Sequence, residues 1–308
     1  MVNWVKVYRK HVLALVAKHA GLRQHAVDVD DAGTVINFWL PRHKQAQEEK
    51  KKQITKHPVV LVHGFAGDGI MTWWLQVGAL SRRGYDVYVP DLIHFGGSTS
   101  PSPDRSVGFQ AGCLAAALQK LGVAACDVVG FSYGGLVAFE MAAVHPDLVR
   151  SVVVSGAGTS FTDAAVDAML GRFGAKTITE LMLPESVEGV RSLLSIALHM
   201  KLWFPRRFLE DFLKVMFTNR KERGEMLEEM VIRDKRPTPA FHQNIFLLWG
   251  EHDSFVPIED ANSLKEELGK KATLRSISKA GHLAHLERPL IYNRCLTEFL
   301  AHVNAQSS

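Results

Sequence analysis

Short β-branched or aliphatic runs recur along this chain, each bounded by turn-forming residues: TVINFWL, PVVLVHG, YDVYVPDL, CDVVGFS, RSVVVSG, NIFLLWG and ATLRSIS. Several are almost continuously apolar, so strands built from them must be covered on both faces. Segments with helical spacing, such as SVGFQAGCLAAALQKLG and GGLVAFEMAAVHP, lie between them. Strand and helix in alternation predict an α/β fold, a mostly parallel sheet with helices on both faces. Ligands of such a sheet collect at the carboxyl ends of its strands.

The alternation breaks once. Residues 161–240 carry helix-like segments rich in Leu, Met and Phe before the strand pattern resumes at NIFLLWG. An inserted helical subdomain fits this better than a second independent domain. The expected organisation is an N-terminal helical segment at 1–33, an α/β core at 34–160 and 241–308, and a helical cap at 161–240. The charged stretch PRHKQAQEEKKKQITKHP reads as a solvated loop or hairpin connection.

Composition narrows the partners. The net charge of +4 comes from residues 1–27, where Lys6, Arg9, Lys10, Lys18 and Arg23 stand without an acid. Without them 31 basic residues face 32 acidic ones (36 − 5 against 32), which leaves no basic face for nucleic acid. Cys113, Cys126 and Cys295 have no metal-type spacing and form no disulfide framework, which points to a reducing, cytoplasmic setting, and Cys113 and Cys126, set among Ala, Leu and Val, read as buried thiols. No apolar run approaches the ~18 residues needed to cross a membrane, and no signal-peptide pattern opens the chain. The first residues, MVNWVKVYRKHVLALVAKHAGLR, do have helical periodicity, with Val5, Tyr8, Val12, Leu15 and Val16 on one side. This segment reads as a helix packed on the body, with peripheral membrane contact through residues 1–27 or an organellar transit segment as alternatives.

The chemistry starts at Gly130-Phe131-Ser132-Tyr133-Gly134, a G-x-S-x-G pattern after a strand and before a helix. A serine on such a turn is exposed to substrate, and the flanking glycines relieve the collision of strand with helix. A serine nucleophile needs a base, an acid and amide donors for the oxyanion. VVLVHGFAG supplies a tight loop whose Phe65 N–H can converge with the Tyr133 N–H, while His63 reads as a residue that satisfies local backbone groups. In KAGHLAHLERP, His282 follows a strand and Gly281 and is preferred as the base over His285, which faces the next helix. In LLWGEHDSFVP, Asp253 is preferred as the acid over Glu251.

The order Ser132, Asp253, His282 is that of the α/β-hydrolase fold. VHGFAG, VPDLIHFGGS, GFSYGG, GEHDSFVP and AGHLAHLERP together resemble the signatures of the α/β-hydrolase superfamily, and the resemblance covers most of residues 34–300. It implies an eight-stranded, mostly parallel core with a helical cap after the sixth strand, in the capped branch that holds carbon–carbon bond hydrolases, epoxide hydrolases and carboxylesterases. One departure is His94, where the family more often has glycine; a changed pocket wall near the oxyanion loop is expected there. Epoxide hydrolases need an aspartate nucleophile and cap tyrosines, and this chain has Ser132 and no tyrosine in 161–240.

The expected activity is therefore cleavage of a carboxylic ester, with a moderately hydrophobic acyl or aryl group, through an acyl-enzyme on Ser132. No metal or organic cofactor is called for. A carbon–carbon bond hydrolase of vinylogous diketones would use the same triad. A ligand receptor with slow or single-turnover hydrolysis is a further alternative. The natural ester, the substrate-binding residues and the oligomeric state are not readable from these motifs.

Overall fold

The computed structural model describes residues 2–42, 57–233 and 237–306. Its sheet has eight strands: β1 Leu22–Asp28, β2 Val35–Pro41, β3 Pro58–Val62, β4 Asp86–Pro90, β5 Cys126–Phe131, β6 Val149–Ser155, β7 Asn244–Gly250 and β8 Ala272–Ile277. Their spatial order is β1-β2-β4-β3-β5-β6-β7-β8, with β1 and β2 antiparallel to their neighbours and all other pairs parallel. The charged connection at 43–56 lies outside the described residues.

Two apolar clusters sandwich the sheet because the strands alternate. Val60 and Val62 of β3 point into one cluster with Val128, Val152 and Leu247, while Val59 and Leu61 point into the other with Val129, Val153 and Leu248. Helices α2 (Val107–Lys120) and α3 (Tyr133–Val144) cover the first face. The second is covered by α1 (Gly69–Ser81), the C-terminal helix Pro289–Gln306 and the N-terminal helix, which runs over residues 4–19 with a wider π-helical stretch at Tyr8–Leu13. Each side chain fully withdrawn from water on these faces contributes about 1.5–3 kcal/mol. The three cysteines are buried and free, and burial pushes the thiols of Cys113 and Cys126 up to about 11 and 12.

The chain inserts the cap after β6. Its helices are α4 Asp163–Phe173, α5 Ile178–Met182, α6 Val187–Ala197, α7 Arg206–Met216 and α8 Arg220–Glu229. Thr162, Thr177 and Ser186 cap the first three by accepting amide hydrogens of Ala165, Glu180 and Gly189. A two-stranded pair, Phe161–Thr162 with Val231–Ile232, ties the start of the cap to its end.

Two features of the N-terminal region differ from expectation. Residues 1–33 are not helical throughout, because 22–28 form the edge strand β1, whose buried residues Leu22 and Val27 are five apart and leave no period-two signal. The apolar residues of the helix do not share one side either: Val5 is buried, whereas Tyr8, Val12 and Leu15 face outward.

Candidate active site

The elbow is built by close approach of backbone. Ser132 adopts φ 53° and ψ −124°, a strained conformation for a residue with a side chain. A Cβ on Gly130 would lie 2.3 Å from Gly134 O, and one on Gly134 would lie 2.4 Å from His63 O. Only glycine at both positions lets α3 start against the end of β3. Ser132 N–H donates to Ser155 O at 2.8 Å, which fixes the elbow to the neighbouring strand.

The loop after β3 is held just as tightly. A Cβ on Gly64 would come within 3.1 Å of Ser132 Cβ, so the backbone leading into Phe65 runs directly past the serine. His63 is fully buried: Nε2 accepts the Leu92 N–H at 2.9 Å and Nδ1–H donates to Gly64 O at 2.7 Å. Burial lowers its pKa to about 4, so it is a neutral clamp of fixed tautomer. Asp68 caps α1 through the Met71 N–H and pairs with Arg9 of the N-terminal helix. Asp91, pushed up to about 7 by burial and then by Asp68, accepts the Gly69 N–H. Neither the Phe65 nor the Tyr133 N–H has an acceptor among the described residues, and both residues are buried. Two uncommitted amides beside a serine are what an oxyanion requires.

Loops after β7 and β8 bring the acid and the imidazole together. Glu251 N–H donates to Ile277 O and His252 N–H to Ala280 O, which lock the two loops side by side. Asp253 Oδ1 accepts the amides of Phe255 (2.9 Å) and Val256 (3.0 Å), and its Oδ2 lies 2.8 Å from His282 Nδ1. Because the carboxylate takes the Nδ1–H, Nε2 of His282 carries the lone pair. Gly156, at the end of β6 with φ 66°, leaves room for this pair: a Cβ there would stand 2.6 Å from the His282 ring. Glu251 is exposed and stands apart. His285 is fully buried against Trp73, Phe131 and Tyr292; neither ring nitrogen has a partner among the described residues, and burial drives its pKa down to about 3.

Ser132 and His282 both line one cavity of about 270 Å³ beneath the cap. Its walls are mainly apolar, with Phe65, Leu136 and Trp249 from the core and Met169, Met182 and Leu227 from the cap. Arg172 and Asp260 also line it; Arg172 donates to Phe255 O at 2.9 Å. Burial raises the Asp260 carboxyl pKa, and Arg172 opposes that shift.

His94 does not form part of this wall, contrary to expectation. It adopts φ 70°, which accounts for the preference for glycine there, and it presents its carbonyl to the cap. Asn219 Nδ2 (2.9 Å) and Arg223 Nε (3.1 Å) donate to His94 O, while the Arg223 guanidinium lies 4.1 Å over the Phe95 ring. Sequence reasoning also missed Glu287 within the quoted AGHLAHLERP. Its carboxylate accepts the amides of Gly281 and of Met200, each at 2.7 Å, and so holds the His282 loop to the cap. The bond to Met200 spans 87 residues and that to Gly281 six, neither a helical or strand spacing that the sequence would signal.

Residues 57–289 match the family model described as the alpha/beta hydrolase fold. A 2-hydroxy-6-oxononadienedioate/2-hydroxy-6-oxononatrienedioate hydrolase of Pseudomonas sp is 27% identical over 256 residues, covering 79% of this chain and 87% of that protein. Lipase 3 of Moraxella sp. (strain TA144) is 27% identical over 241 residues, covering 76% and 74%. Among solved structures, a 2-hydroxy-6-oxo-6-phenylhexa-2,4-dienoate hydrolase from Rhodococcus sp. strain RHA1 superimposes with a TM-score of 0.74 at 20% identity, covering 91% of this chain and 99% of that one. With its elbow, its sheet order and its inserted cap, this chain belongs to the α/β-hydrolase family.

Proposed function

We propose that this hydrolase cleaves a carboxylic ester with a moderately hydrophobic acyl or aryl group, through an acyl-enzyme on Ser132. The observation that carries the reading is the strained Ser132 sharing an apolar cavity with an Asp253-held imidazole and two uncommitted amides. In the proposed cycle Ser132 Oγ attacks the carbonyl carbon while His282 Nε2 takes its proton. The amides of Phe65 and Tyr133 receive the developing oxyanion. His282 then returns the proton to the leaving alcohol, and water enters by the same route in reverse to release the acid. Asp253 keeps hold of the Nδ1–H throughout and stabilises the imidazolium.

A second reading has support from the names of the relatives: a carbon–carbon bond hydrolase with the same three residues. The charge of the cavity weighs against a dicarboxylate substrate. A dienedioate carries two carboxylates, whereas the guanidinium lining the cavity is that of Arg172, which is opposed by Asp260 and already donates to Phe255 O; a phenyl-bearing dienoate, with one carboxylate, asks for less. A neutral acyl chain meets no such mismatch.

Steady-state kinetics on purified protein with nitrophenyl esters of graded chain length, beside a vinylogous dienone acid, separates these readings. The ester reading expects kcat/KM to rise about threefold to fourfold per methylene until the chamber fills. A preference for a small charged ester would contradict it, and a much larger kcat/KM on the dienone would favour the second reading. A single burst without turnover would point to a receptor.

A further inference from the structure

The N-terminal helix has apolar side chains on two sides, and only one is used by the fold. Val5, Leu13 and Ala17 are buried, but Trp4 (63%), Tyr8 (37%), Val12 (45%) and Leu15 (54%) are exposed at a spacing that makes one stripe. The loop at 198–205 between α6 and α7 exposes Met200, Leu202 and Trp203, the last at 78%. Of the ten large hydrophobic side chains exposed among the described residues, seven lie in these two segments and an eighth, Val2, directly precedes the helix. Singly exposed apolar residues need no explanation, but this clustering does.

The N-terminal helix is bonded to α7, which directly follows the loop. Arg207, in the first turn of α7, donates to Val2 O at 2.9 Å, and Asp211 Oδ2 accepts the Trp4 N–H at 2.8 Å. Neither segment contains an acid: 1–27 carries five Lys or Arg residues, and 198–205 adds Lys201. Lys6, Lys10, Lys18 and Lys201 are exposed and without an ion pair among the described residues, whereas Arg206 and Arg207 are offset by Glu188, Glu210 and Asp211.

We propose that the helix at 4–19 and the loop at 198–205 together form a docking surface for an anionic phospholipid bilayer. Exposed tryptophan and tyrosine beside lysine is the composition that seats a helix in the interface plane, with rings at headgroup depth and ammonium groups on lipid phosphates. Charge complementarity selects the anionic lipid. No helix among the described residues is long and apolar enough to span the bilayer, so the contact is superficial. The surface is also bonded to the candidate site at two points. Glu287 joins Met200 to the His282 loop, and Arg9 joins the helix to Asp68 after the oxyanion loop. This docking stands independently of which bond the enzyme cleaves.

The test is sedimentation of the full chain with vesicles of phosphatidylcholine alone and of phosphatidylcholine mixed with phosphatidylglycerol. The wild type is expected to bind the anionic vesicles far more tightly than the neutral ones and to release them at high salt. Each of Lys6, Lys10 and Lys18 changed to Ala should weaken binding about fivefold, roughly a hundredfold together. Trp4→Glu with Trp203→Glu should weaken it at least about tenfold, while Trp4→Phe with Trp203→Phe retains it. Neither residue lines the cavity, so hydrolysis of a soluble ester remains and reports folding. Absence of wild-type binding, binding insensitive to salt, or unaltered binding by the glutamate pair would overturn the proposal. So would a stable wild-type dimer that the glutamate pair converts to monomer, since a second copy would then be the occupant.

Discussion

Asp253→Asn is expected to lower kcat on a nitrophenyl ester by about ten-thousandfold, the scale of losing the correct imidazole tautomer in a serine triad, with little change in melting temperature. The direction of the amide is forced by its surroundings. Oδ1 of Asp253 accepts two backbone N–H groups, so the amide NH₂ cannot occupy that position and must take the place of Oδ2, 2.8 Å from His282 Nδ1. There it donates rather than accepts, and the imidazole has to offer Nδ1 as a lone pair and carry its proton on Nε2. A protonated Nε2 cannot take the proton of Ser132. Measurement of kcat and of the thermal midpoint checks this. A loss smaller than about tenfold in a folded variant would mean that Asp253 does not set the tautomer.

Gly134→Ala is expected to abolish folded protein. The new methyl would sit 2.4 Å from His63 O and 2.5 Å from Val62 O, both backbone atoms at the end of a central strand. Relief requires α3 to move off β3, opening a core in which Val59, Val60, Leu61 and Val62 are all fully buried. That cost exceeds about 4–5 kcal/mol, a large part of a domain's stability. Gly112→Ala is the contrast, because a Cβ at that position of α2 meets nothing within 4 Å. Helix propensity alone then predicts a gain of about 0.5–1 kcal/mol. Soluble yield and chemical denaturation of the two variants distinguish a glycine needed for close approach from one that is not.

These two substitutions rest on features with different visibility in the amino-acid sequence. The parallel core is legible because β3, β5, β6 and β7 are buried on both faces and so read as apolar runs. β1 is not, since four of its seven residues in succession are exposed. Ser132, Asp253 and His282 are legible as candidates because each follows a strand at a turn, and the order of the three is restrictive. What positions them is much less so. Gly156 looks like any strand-ending glycine until the His282 ring is placed against it, and Glu287 reads as a surface acid of a final helix. His94 carries its consequence in a backbone dihedral and a carbonyl, where a substitution pattern suggests a side chain. The cavity is assembled from cap and core residues far apart in the chain, so its apolar character is visible only as composition and its opposed Arg172 and Asp260 not at all.

Hydrolysis by this site requires that Ser132 become acylated. Intact-mass spectrometry after brief reaction with a slowly deacylating nitrophenyl ester, followed by peptide mapping, tests it most directly. The expected result is the mass of a single acyl group on Ser132, and no adduct in Ser132→Ala. A stable adduct on another side chain, or undiminished turnover by Ser132→Ala, would contradict it.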